Sequence, residues 1–345
     1  MAKGRLLTPV SSHSKLTSGP PMKAAEIFQL IRKDLVQVEK ILEKQNSSSI
    51  KPIAKISDYL RISGGKRVRP SVLLLAARLC DYHGPSVYQL AAVVELIHMA
   101  TLVHDDIIDG SNMRRGRPST NLRWGNSMSV LAGDWLYMQS FRIALEERNF
   151  KVLDILIDLT QKMVEGEMLQ LTLIRNEKVT EEQHLDLIYR KTACLFSNSM
   201  RLGAVLAGCE ARIEEQMADY GTNLGLTFQI IDDLLDISSS SGELGKPVGN
   251  DLREGKLTLP MILLLKSCQP EESQRIIQVL RDGQFKDVTL REIQDLVGRY
   301  GTLNASRERA RNYAQRAKSS LSSFPDSVYK QALLSLPDYF LEREA

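Results

Sequence analysis

The chain has 345 residues and carries 45 basic against 42 acidic side chains, a formal net charge of +3. This near-balance argues against a dedicated nucleic-acid-binding protein, whose affinity depends on a concentrated basic excess. The composition, 43% hydrophobic and 25% charged with 21 glycines and 12 prolines, is that of a folded protein. No run of about 18 apolar residues is present, so no transmembrane helix is predicted.

The N-terminal 22 residues differ in composition from the rest of the chain. They contain three lysines or arginines, one histidine and four serines, and the first acidic residue is Glu26. Such a stretch is typical of an organelle-targeting peptide or of a disordered tail, and the lack of an amphipathic, arginine-rich helix favours the tail. We therefore predict a tail over 1–22 and a folded domain over 23–345. The predicted location is cytoplasmic, with an organelle as the alternative.

Helical periodicity begins near Glu26 and continues along most of the chain, with apolar residues at intervals of three and four. The predicted helices cover 27–42, 70–80, 86–109, 126–147, 151–174, 181–208, 211–237, 258–267, 271–281, 289–298, 302–323 and 325–341. Several are apolar on most of their circumference, which indicates helices inside a bundle. Strand-like alternation is not apparent, so the predicted fold is all-α, a single large helical bundle.

The loop 61–70 is the first with chemical character. Gly64 and Gly65 precede Lys66, Arg67 and Arg69 at the start of a predicted helix. Backbone amides at a helix N-terminus, together with lysine and arginine, are suited to binding an anion. A solvated basic loop is the alternative interpretation.

Two apolar helices each end in an Asp-Asp-x-x-Asp cluster. The clusters are formed by Asp105, Asp106 and Asp109 and by Asp232, Asp233 and Asp236. Residues four apart lie on one helical face, where like charges destabilise the helix and are costly to bury unpaired. A hard divalent cation compensates such charges, and Mg²⁺ shares its coordination between carboxylates, water and substrate phosphates. Each cluster could instead be a solvated acidic helix end. Because the pattern occurs twice, each time in an apolar helix, this is the weaker interpretation.

Cations and polar groups surround these clusters. Arg114 and Arg115 follow the first cluster, and His98 lies seven residues before Asp105, on nearly the same face. A lone histidine of this kind is more often a core residue. Further along the chain are Lys191, Thr192, Lys246 and Lys256. A P-loop is disfavoured, because Pro247 stands where serine or threonine is needed.

The four cysteines, Cys80, Cys194, Cys209 and Cys268, show neither metal-site nor disulfide spacing. Buried free thiols in a reducing compartment are the simpler interpretation.

Taken together, these segments resemble the trans-polyprenyl diphosphate synthase family over roughly residues 25–345. The motifs that carry the resemblance are Gly64–Pro70, Asp105–Asp109 with Arg114-Arg115-Gly116, Gly133-Asp134, Tyr189–Ala193, Phe228–Asp233, Gly245–Asp251 and Glu254–Pro260. Their order and spacing are highly specific. The resemblance implies a transferase of the isoprenoid synthase fold that acts as a homodimer and elongates an allylic diphosphate with isopentenyl diphosphate.

The resemblance also implies roles for individual residues. Both acidic clusters would face one cavity and hold three Mg²⁺ ions through their six aspartates. The diphosphate of isopentenyl diphosphate would bind to Lys66, Arg69, His98 and Arg115. The allylic diphosphate would bind to Arg114, Lys191, Thr192, Gln229, Lys246 and Lys256. Thr192 and Gln229 would in addition lie beside the developing allylic cation.

Product length is expected to depend on the helix that ends at Asp105. Ala100 and Thr101 are small, and Ala100 is about 7.5 Å along the helix from Asp105. Leu96 and Ile97 line the next turn without an aromatic plug. We therefore predict a long product, octaprenyl to decaprenyl, as a ubiquinone or menaquinone side-chain precursor, with peripheral membrane contact at release. A plug from another helix is the alternative, and the candidates are Tyr137, Met138, Phe141 and Met168.

Three other functions compete with this prediction. One is a shorter-chain farnesyl or geranylgeranyl diphosphate synthase. Another is a class I terpene cyclase, whose second metal motif does not match residues 250–254. The third is a subunit of a heteromeric synthase, in which intact acidic clusters are unexpected. The chain ends Leu341–Ala345 without the basic tail of some family members, so closure by the tail is doubtful, although Arg343 is available to contribute.

Overall fold

The structure is a computed structural model and describes residues 21–45, 50–62, 65–238 and 248–343. The chain divides into two compact units, each made of three separate stretches. Unit 1 contains the residues up to Thr160, then Leu195–Gly221 and Lys318–Leu336. Unit 2 contains Gln161–Cys194, Thr222–Ala317 and the residues from Pro337 onward. The prediction of one domain over 23–345 stays a prediction.

The described residues form α-helices, one π-helical turn and one short hairpin. The first helices are α1 Ala24–Leu30, α2 Arg32–Gln45, α3 Lys51–Ile62, α4 Val68–Leu79, α5 Ser86–Ile108, α6 Thr120–Trp124, α7 Asn126–Glu146 and α8 Phe150–Leu173. Next come α9 Glu181–Ile188, the π-helical turn Tyr189–Ala193, α10 Cys194–Leu206, α11 Ala211–Ser238 and α12 Asn250–Arg253. The last are α13 Leu259–Ser267, α14 Pro270–Asp282, α15 Leu290–Arg299, α16 Thr302–Ser320 and α17 Val328–Leu341.

The core of unit 1 is built around α5. This helix packs against α2, α4 and α7, and its residues from Leu90 to Ile97 are buried on every side. Helices α5 and α7 approach closely at Gly133, which has no side chain. A Cβ at this position of α7 would lie 2.2 Å from Nε2 of His104 on α5. An all-round apolar helix is stable only in such surroundings.

The core of unit 2 has two apolar clusters. One joins α13, α14 and α15 around Ile262, Ile276 and Ile293, and the other is centred on Ile230, Leu234 and Leu259. The polar helix ends have caps: the hydroxyl oxygens of Thr180 and Thr289 accept hydrogen bonds from the third residue of α9 and α15. These contacts fix the helices that carry the second acidic cluster and its neighbours.

The all-α prediction is confirmed, with local differences. Helix 27–42 is interrupted at Ile31, and 181–208 is divided by the π-helical turn, which hydrophobic periodicity does not distinguish from an α-helix. Part of the loop 110–125 is a hairpin, β1 Met113–Arg114 paired with β2 Arg117–Pro118. Its strands are too short to show alternation. Parts of 61–70, 110–125 and 238–257 expected to be loops are helical in α3, α4, α6 and α12.

Among the described helices, α5 is long and apolar enough to cross a membrane, which the sequence argument on apolar runs did not find. However, 67% of its most apolar window is buried within the protein. That burial is the environment of a core helix.

Candidate active site

The first acidic cluster lies at the C-terminal end of α5 in unit 1. Asp106 is 3% exposed, and its Oδ1 accepts hydrogen bonds from Nε and Nη2 of Arg114, each at 2.7 Å. The β1–β2 hairpin positions that arginine, and its turn residues Arg115 and Gly116 both have positive φ. Asp105 and Asp109 lie on the neighbouring face of α5.

A basic pocket adjoins this cluster within unit 1. It is open to solvent, and the space of about 500 Å³ between its walls includes that solvent. Its lining residues are Tyr59, Leu60, Arg67, Glu95, His98, Met99, Leu102, Asp106, Arg114, Arg115, Arg117, Pro118, Ser119 and Thr120. The four arginines of this lining can bind a compact, multiply charged anion such as a diphosphate.

His98 is a hydrogen-bonding group of this pocket rather than a charged one. Burial lowers its pKa well below the usual range, and the charges of Arg69, Arg115, Arg114 and Arg67 lower it further. Nη1 of Arg69 lies 3.1 Å from Nε2 of His98, which is therefore the acceptor in a neutral ring. The guanidinium carbon of Arg69 lies 5.1 Å from the ring centre of Phe196.

Arg115 lines the pocket although the residue as a whole is exposed. A Cβ at Gly65 would lie 2.9 Å from Nη1 of Arg115, so the glycine leaves room for that guanidinium. The structure thus brings together Arg69, His98 and Arg115, three residues of the set that the sequence predicted, and the fourth, Lys66, is exposed and precedes Arg67 in the chain. Gly64 lies outside the described residues.

The second acidic cluster lies on α11 in unit 2, and its middle aspartate is also engaged. Oδ1 of Asp233 accepts from Nε2 of Gln229 at 2.9 Å, and Oε1 of Gln229 accepts from the hydroxyl of Thr192 at 2.8 Å. Oδ2 of Asp233 lies 3.1 Å from Nε2 of His184, without forming a hydrogen bond. Sequence analysis missed His184, which lies about two helical turns before Lys191 and outside the motif Tyr189–Ala193.

The π-helical turn positions Lys191 and Thr192 in unit 2. A Cβ at Gly166 of α8 would lie 3.0 Å from the backbone nitrogen of Lys191, so only glycine lets α8 approach this turn. Nζ of Lys191 donates to Glu167 Oε2 at 2.6 Å and to Gln170 Oε1 at 3.0 Å. An inserted residue in a helix is frequent at functional sites, because it redirects neighbouring side chains.

Asp236 and Asp251 are two neighbouring carboxylates whose pKa values are both raised. Oδ1 and Oδ2 of Asp236 accept from the backbone nitrogens of Asn250 and Asp251, each at 3.2 Å. Burial raises the pKa of Asp236 to about 6 despite those bonds, and the charges of Asp233 and Glu254 contribute. Burial also raises the pKa of Asp251 well above its usual range, and the negative charge of Asp236 raises it further.

Other predicted groups lie nearby in unit 2. Nζ of Lys256 donates to Glu254 Oε2 at 2.7 Å, while Lys246 lies outside the described residues. Nη2 of Arg343 lies 3.4 Å from Oδ1 of Asp232, and its guanidinium carbon lies 5.0 Å from the ring centre of Phe228. The C-terminal arginine therefore does reach the second cluster.

The chemistry of these donors fits Mg²⁺. Carboxylate oxygens are the ligands it prefers, and the raised pKa of Asp236 indicates negative charge with too little compensation. Among the described residues, no three carboxylate, imidazole or thiol groups lie together as a preformed metal site. Magnesium is commonly held by one or two carboxylates with water and substrate phosphates completing its coordination, so preformed trios are not required.

The residues predicted to set product length lie in the core of unit 1. Leu96, Ile97 and Ala100 are fully buried, and the hydroxyl of Thr101 donates to the carbonyl oxygen of His98 at 2.8 Å. The basic pocket is bordered by other residues of the same helix. Of the alternative plug residues, Met138 and Met168 are mostly exposed, whereas Tyr137 and Phe141 are half-buried.

Comparison with known proteins gives consistent matches over nearly the whole chain. A sequence model of the family described as polyprenyl synthetase matches residues 50–297. Octaprenyl diphosphate synthase of Escherichia coli (strain K12) is 36% identical over 323 residues, which are 94% of this chain and 100% of that protein. Geranylgeranyl diphosphate synthase of Methanosarcina mazei is 35% identical over 84% of this chain and 89% of its own.

Solved structures are also similar. A decaprenyl diphosphate synthase from Rhodobacter capsulatus is 40% identical with a TM-score of 0.88, and the match covers 93% of this chain and 99% of that one. A polyprenyl synthase from Caulobacter crescentus, complexed with calcium and isoprenyl diphosphate, is 36% identical with a TM-score of 0.90. That match covers 95% of this chain and 100% of the other.

Proposed function

The chain belongs to the polyprenyl synthetase family and is a prenyltransferase, and on that basis we propose that it condenses isopentenyl diphosphate repeatedly with an allylic diphosphate primer. The product is a long-chain all-trans polyprenyl diphosphate. The observation that carries the proposal is the basic pocket of unit 1, where neutral His98 and several arginines border an aspartate-rich helix end.

Isopentenyl diphosphate is assigned to the basic pocket. Lys66, Arg69 and Arg115 supply charge for its diphosphate, and the neutral ring of His98 supplies a hydrogen bond. This substrate keeps its diphosphate throughout the reaction, so a pocket without bound metal is sufficient for it.

The allylic diphosphate is assigned to the aspartate clusters and their cations. Asp105, Asp106, Asp109, Asp232, Asp233 and Asp236 would hold Mg²⁺, three ions in all as the resemblance implies, and the bound metal would neutralise charge on the departing diphosphate. Asp106 and Asp233 are also hydrogen-bonded to Arg114 and Gln229, which fixes the orientation of these two carboxylates. Arg114, Lys191 and Lys256 would contact the diphosphate oxygens, with Lys246 assisting, and preorganised charges of this kind are an effective catalytic device.

Carbon–carbon bond formation follows loss of the allylic diphosphate. The C–O bond breaks heterolytically, the double bond of isopentenyl diphosphate attacks the allylic cation, and a proton passes to the departing diphosphate. Thr192 and Gln229 have oxygens joined by a hydrogen bond, which fits them to stabilise positive charge. Apolar helices exclude water, which would otherwise quench the cation.

An octaprenyl to decaprenyl product agrees with the relatives that make such chains, and a quinone side-chain precursor is its proposed use. A shorter-chain synthase is the second candidate, because a geranylgeranyl diphosphate synthase is similar to this chain as well. A subunit of a heteromeric synthase is the third. We propose a cytoplasmic location, and contact with a membrane surface at product release because the product is a long apolar chain.

A homodimer is proposed from the exposed faces of α7 and α8. Large apolar residues recur there every seven positions and are more than 45% exposed: Leu131, Met138 and Leu145 on α7, and Phe150, Ile157, Val164 and Leu171 on α8. We call these residues the heptad stripe. Apolar residues at this period are typical of helices that pack against other helices.

The proposed function is tested with purified full-length protein, Mg²⁺, farnesyl diphosphate and labelled isopentenyl diphosphate, with products separated by chromatography. Elongated linear diphosphates are expected, and chelation of the metal is expected to abolish them. Cyclic hydrocarbons would instead identify a terpene cyclase. No product without an added partner protein would identify a subunit.

A further inference from the structure

Glu95 is a buried carboxylate inside the pocket that we assign to a diphosphate anion. Its side chain is 6% exposed, and Oε1 accepts from Nη1 of Arg67 at 2.7 Å. A carboxylate in such a pocket repels an anionic ligand, so a favourable effect on the surrounding cations must offset that repulsion. Neither the sequence motifs nor the assigned reaction uses Glu95.

Arg67 connects Glu95 to the loop that carries Lys66. It has a φ of 50°, unusual for a residue with a side chain, and it immediately precedes the first residue of α4. Its Nε donates to Oε1 of Glu39 at 2.6 Å, and its Nη2 donates to the carbonyl oxygen of Arg61 at 3.1 Å. Two carboxylates and one carbonyl thus hold a strained residue between Lys66 and Arg69 in a fixed orientation.

Glu95 also acts on Arg115. That residue as a whole is exposed, yet burial of its guanidinium lowers its pKa, and the charge of Glu95 opposes this shift. Arg114 and Arg67 repel the same guanidinium. Asp106 pairs with Arg114 and Glu39 with Arg67, and Glu95 lines the same pocket as Arg115, whose positive charge it favours.

From these contacts we propose that Glu95 is a positioning residue for the diphosphate of isopentenyl diphosphate. Through Arg67 it fixes the 65–69 segment, and through its charge it keeps Arg115 close to Gly65, so that the pocket is assembled before the substrate binds. This inference rests on the proposed function, because it assumes the occupant of the pocket.

The test is steady-state kinetics of Glu95→Gln, which keeps the size of the side chain and removes its charge. The KM for isopentenyl diphosphate is expected to rise about tenfold, with kcat and the KM for the allylic primer changed much less, because a charged hydrogen bond is lost. The matched control is Glu214→Gln, a buried carboxylate of unit 1 paired with Lys151 at 2.6 Å outside the pocket. It is expected to leave all three constants unchanged.

Two further measurements keep the proposal falsifiable. In the double variant Arg67→Gln with Glu95→Gln, the rise in KM should be smaller than the product of the two single-variant rises, since part of each effect acts through the Arg67–Glu95 pair. If Glu95→Gln does not fold, Glu95→Asp keeps the charge and shortens the reach, and a raised KM is again expected. An unchanged or lowered KM for isopentenyl diphosphate in folded variants would overturn the proposal. Absence of activity in the unmodified protein would instead contradict the proposed function.

Discussion

At the residue scale, the middle aspartates of the two acidic clusters have similar surroundings. In each, the middle aspartate is buried and bound by a side chain of its own unit: Asp106 by Arg114, and Asp233 by Gln229. The outer members lie on other faces of their helices. A sequence pattern treats the three aspartates alike, and only side-chain contacts distinguish them.

Replacing an outer aspartate is expected to reduce catalysis without unfolding the protein. Asp105→Ala and Asp232→Ala should each lower turnover by about a thousandfold, because a ligand of the charge-neutralising metal is removed. Turnover is measured with saturating substrates, and folding by circular dichroism. Asp154→Ala, an exposed aspartate of α8, is the control. Near-normal rates in both cluster variants would contradict the metal assignment.

The metal-free protein is expected to lose stability as the pH rises through about 6, the folded-state pKa of Asp236. This pKa lies above that of an aspartate in the unfolded chain, so between the two values the folded protein binds a proton that the unfolded protein does not. The stability gained from protonation of Asp236 is therefore fully present below the unfolded pKa and is lost as the pH rises through about 6. Mg²⁺ requires the ionised carboxylate, so it should raise Tm more at about pH 7.5 than at about pH 5. Asp236→Asn should flatten the pH profile measured by thermal unfolding, and an unaltered profile would refute the assignment.

At the element scale, glycines determine how closely helices approach. A Cβ at Gly221 of α11 would lie 2.5 Å from the carbonyl oxygen of Phe196, which belongs to α10. Backbone atoms cannot move aside as a flexible side chain does. The contact between α10 and α11 in unit 1 therefore depends on the missing side chain.

Gly221→Ala is expected to lower the free energy of unfolding by about 2 kcal/mol, because it overpacks a helix contact. Gly298 of α15 has nothing within 4 Å of a built Cβ. Gly298→Ala should consequently raise stability by up to about 1 kcal/mol through helix propensity alone. Chemical denaturation measures both, and equal effects of the two changes would show that backbone crowding is not the cause.

Helix α5 also carries the prediction for product length. Ala100→Phe is expected to shorten the products, because an aromatic ring would fill space one to two turns before Asp105. Products are compared by chromatography with those of the unmodified protein. Since Ala100 is fully buried, folding of the variant is checked by its Tm. An unaltered chain-length distribution in a folded variant would place the limiting wall elsewhere.

At the scale of the whole molecule, the heptad stripe predicts self-association. Met138→Glu should convert a dimer to monomers, because it places a charge in the centre of the apolar face of α7. Val36→Glu changes an equally apolar but isolated exposed residue of α2 and should leave the dimer intact. Sedimentation equilibrium distinguishes the two, and a monomeric unmodified protein would eliminate the stripe as an interface.

The all-α fold could be predicted from the sequence, because helical periodicity is a local signal. Motif order proposed Asp105, Lys191 and Thr192 as site residues, and these assignments stay predictions. The role proposed for Glu95 could not be predicted, since its partner Arg67 is 28 residues away in the sequence. The π-helical turn was also missed, because one inserted residue scarcely alters the apolar period.

The lysines of unit 2 have a consequence for how the substrate is captured. Lys191 and Lys256 already contact Glu167 and Glu254, so an arriving diphosphate exchanges one counter-anion for another. These two lysines consequently add little net charge to the long-range field, and they contribute little to the attraction of a distant substrate. Removing Lys191 or Lys256 should therefore change the ionic-strength dependence of association only slightly.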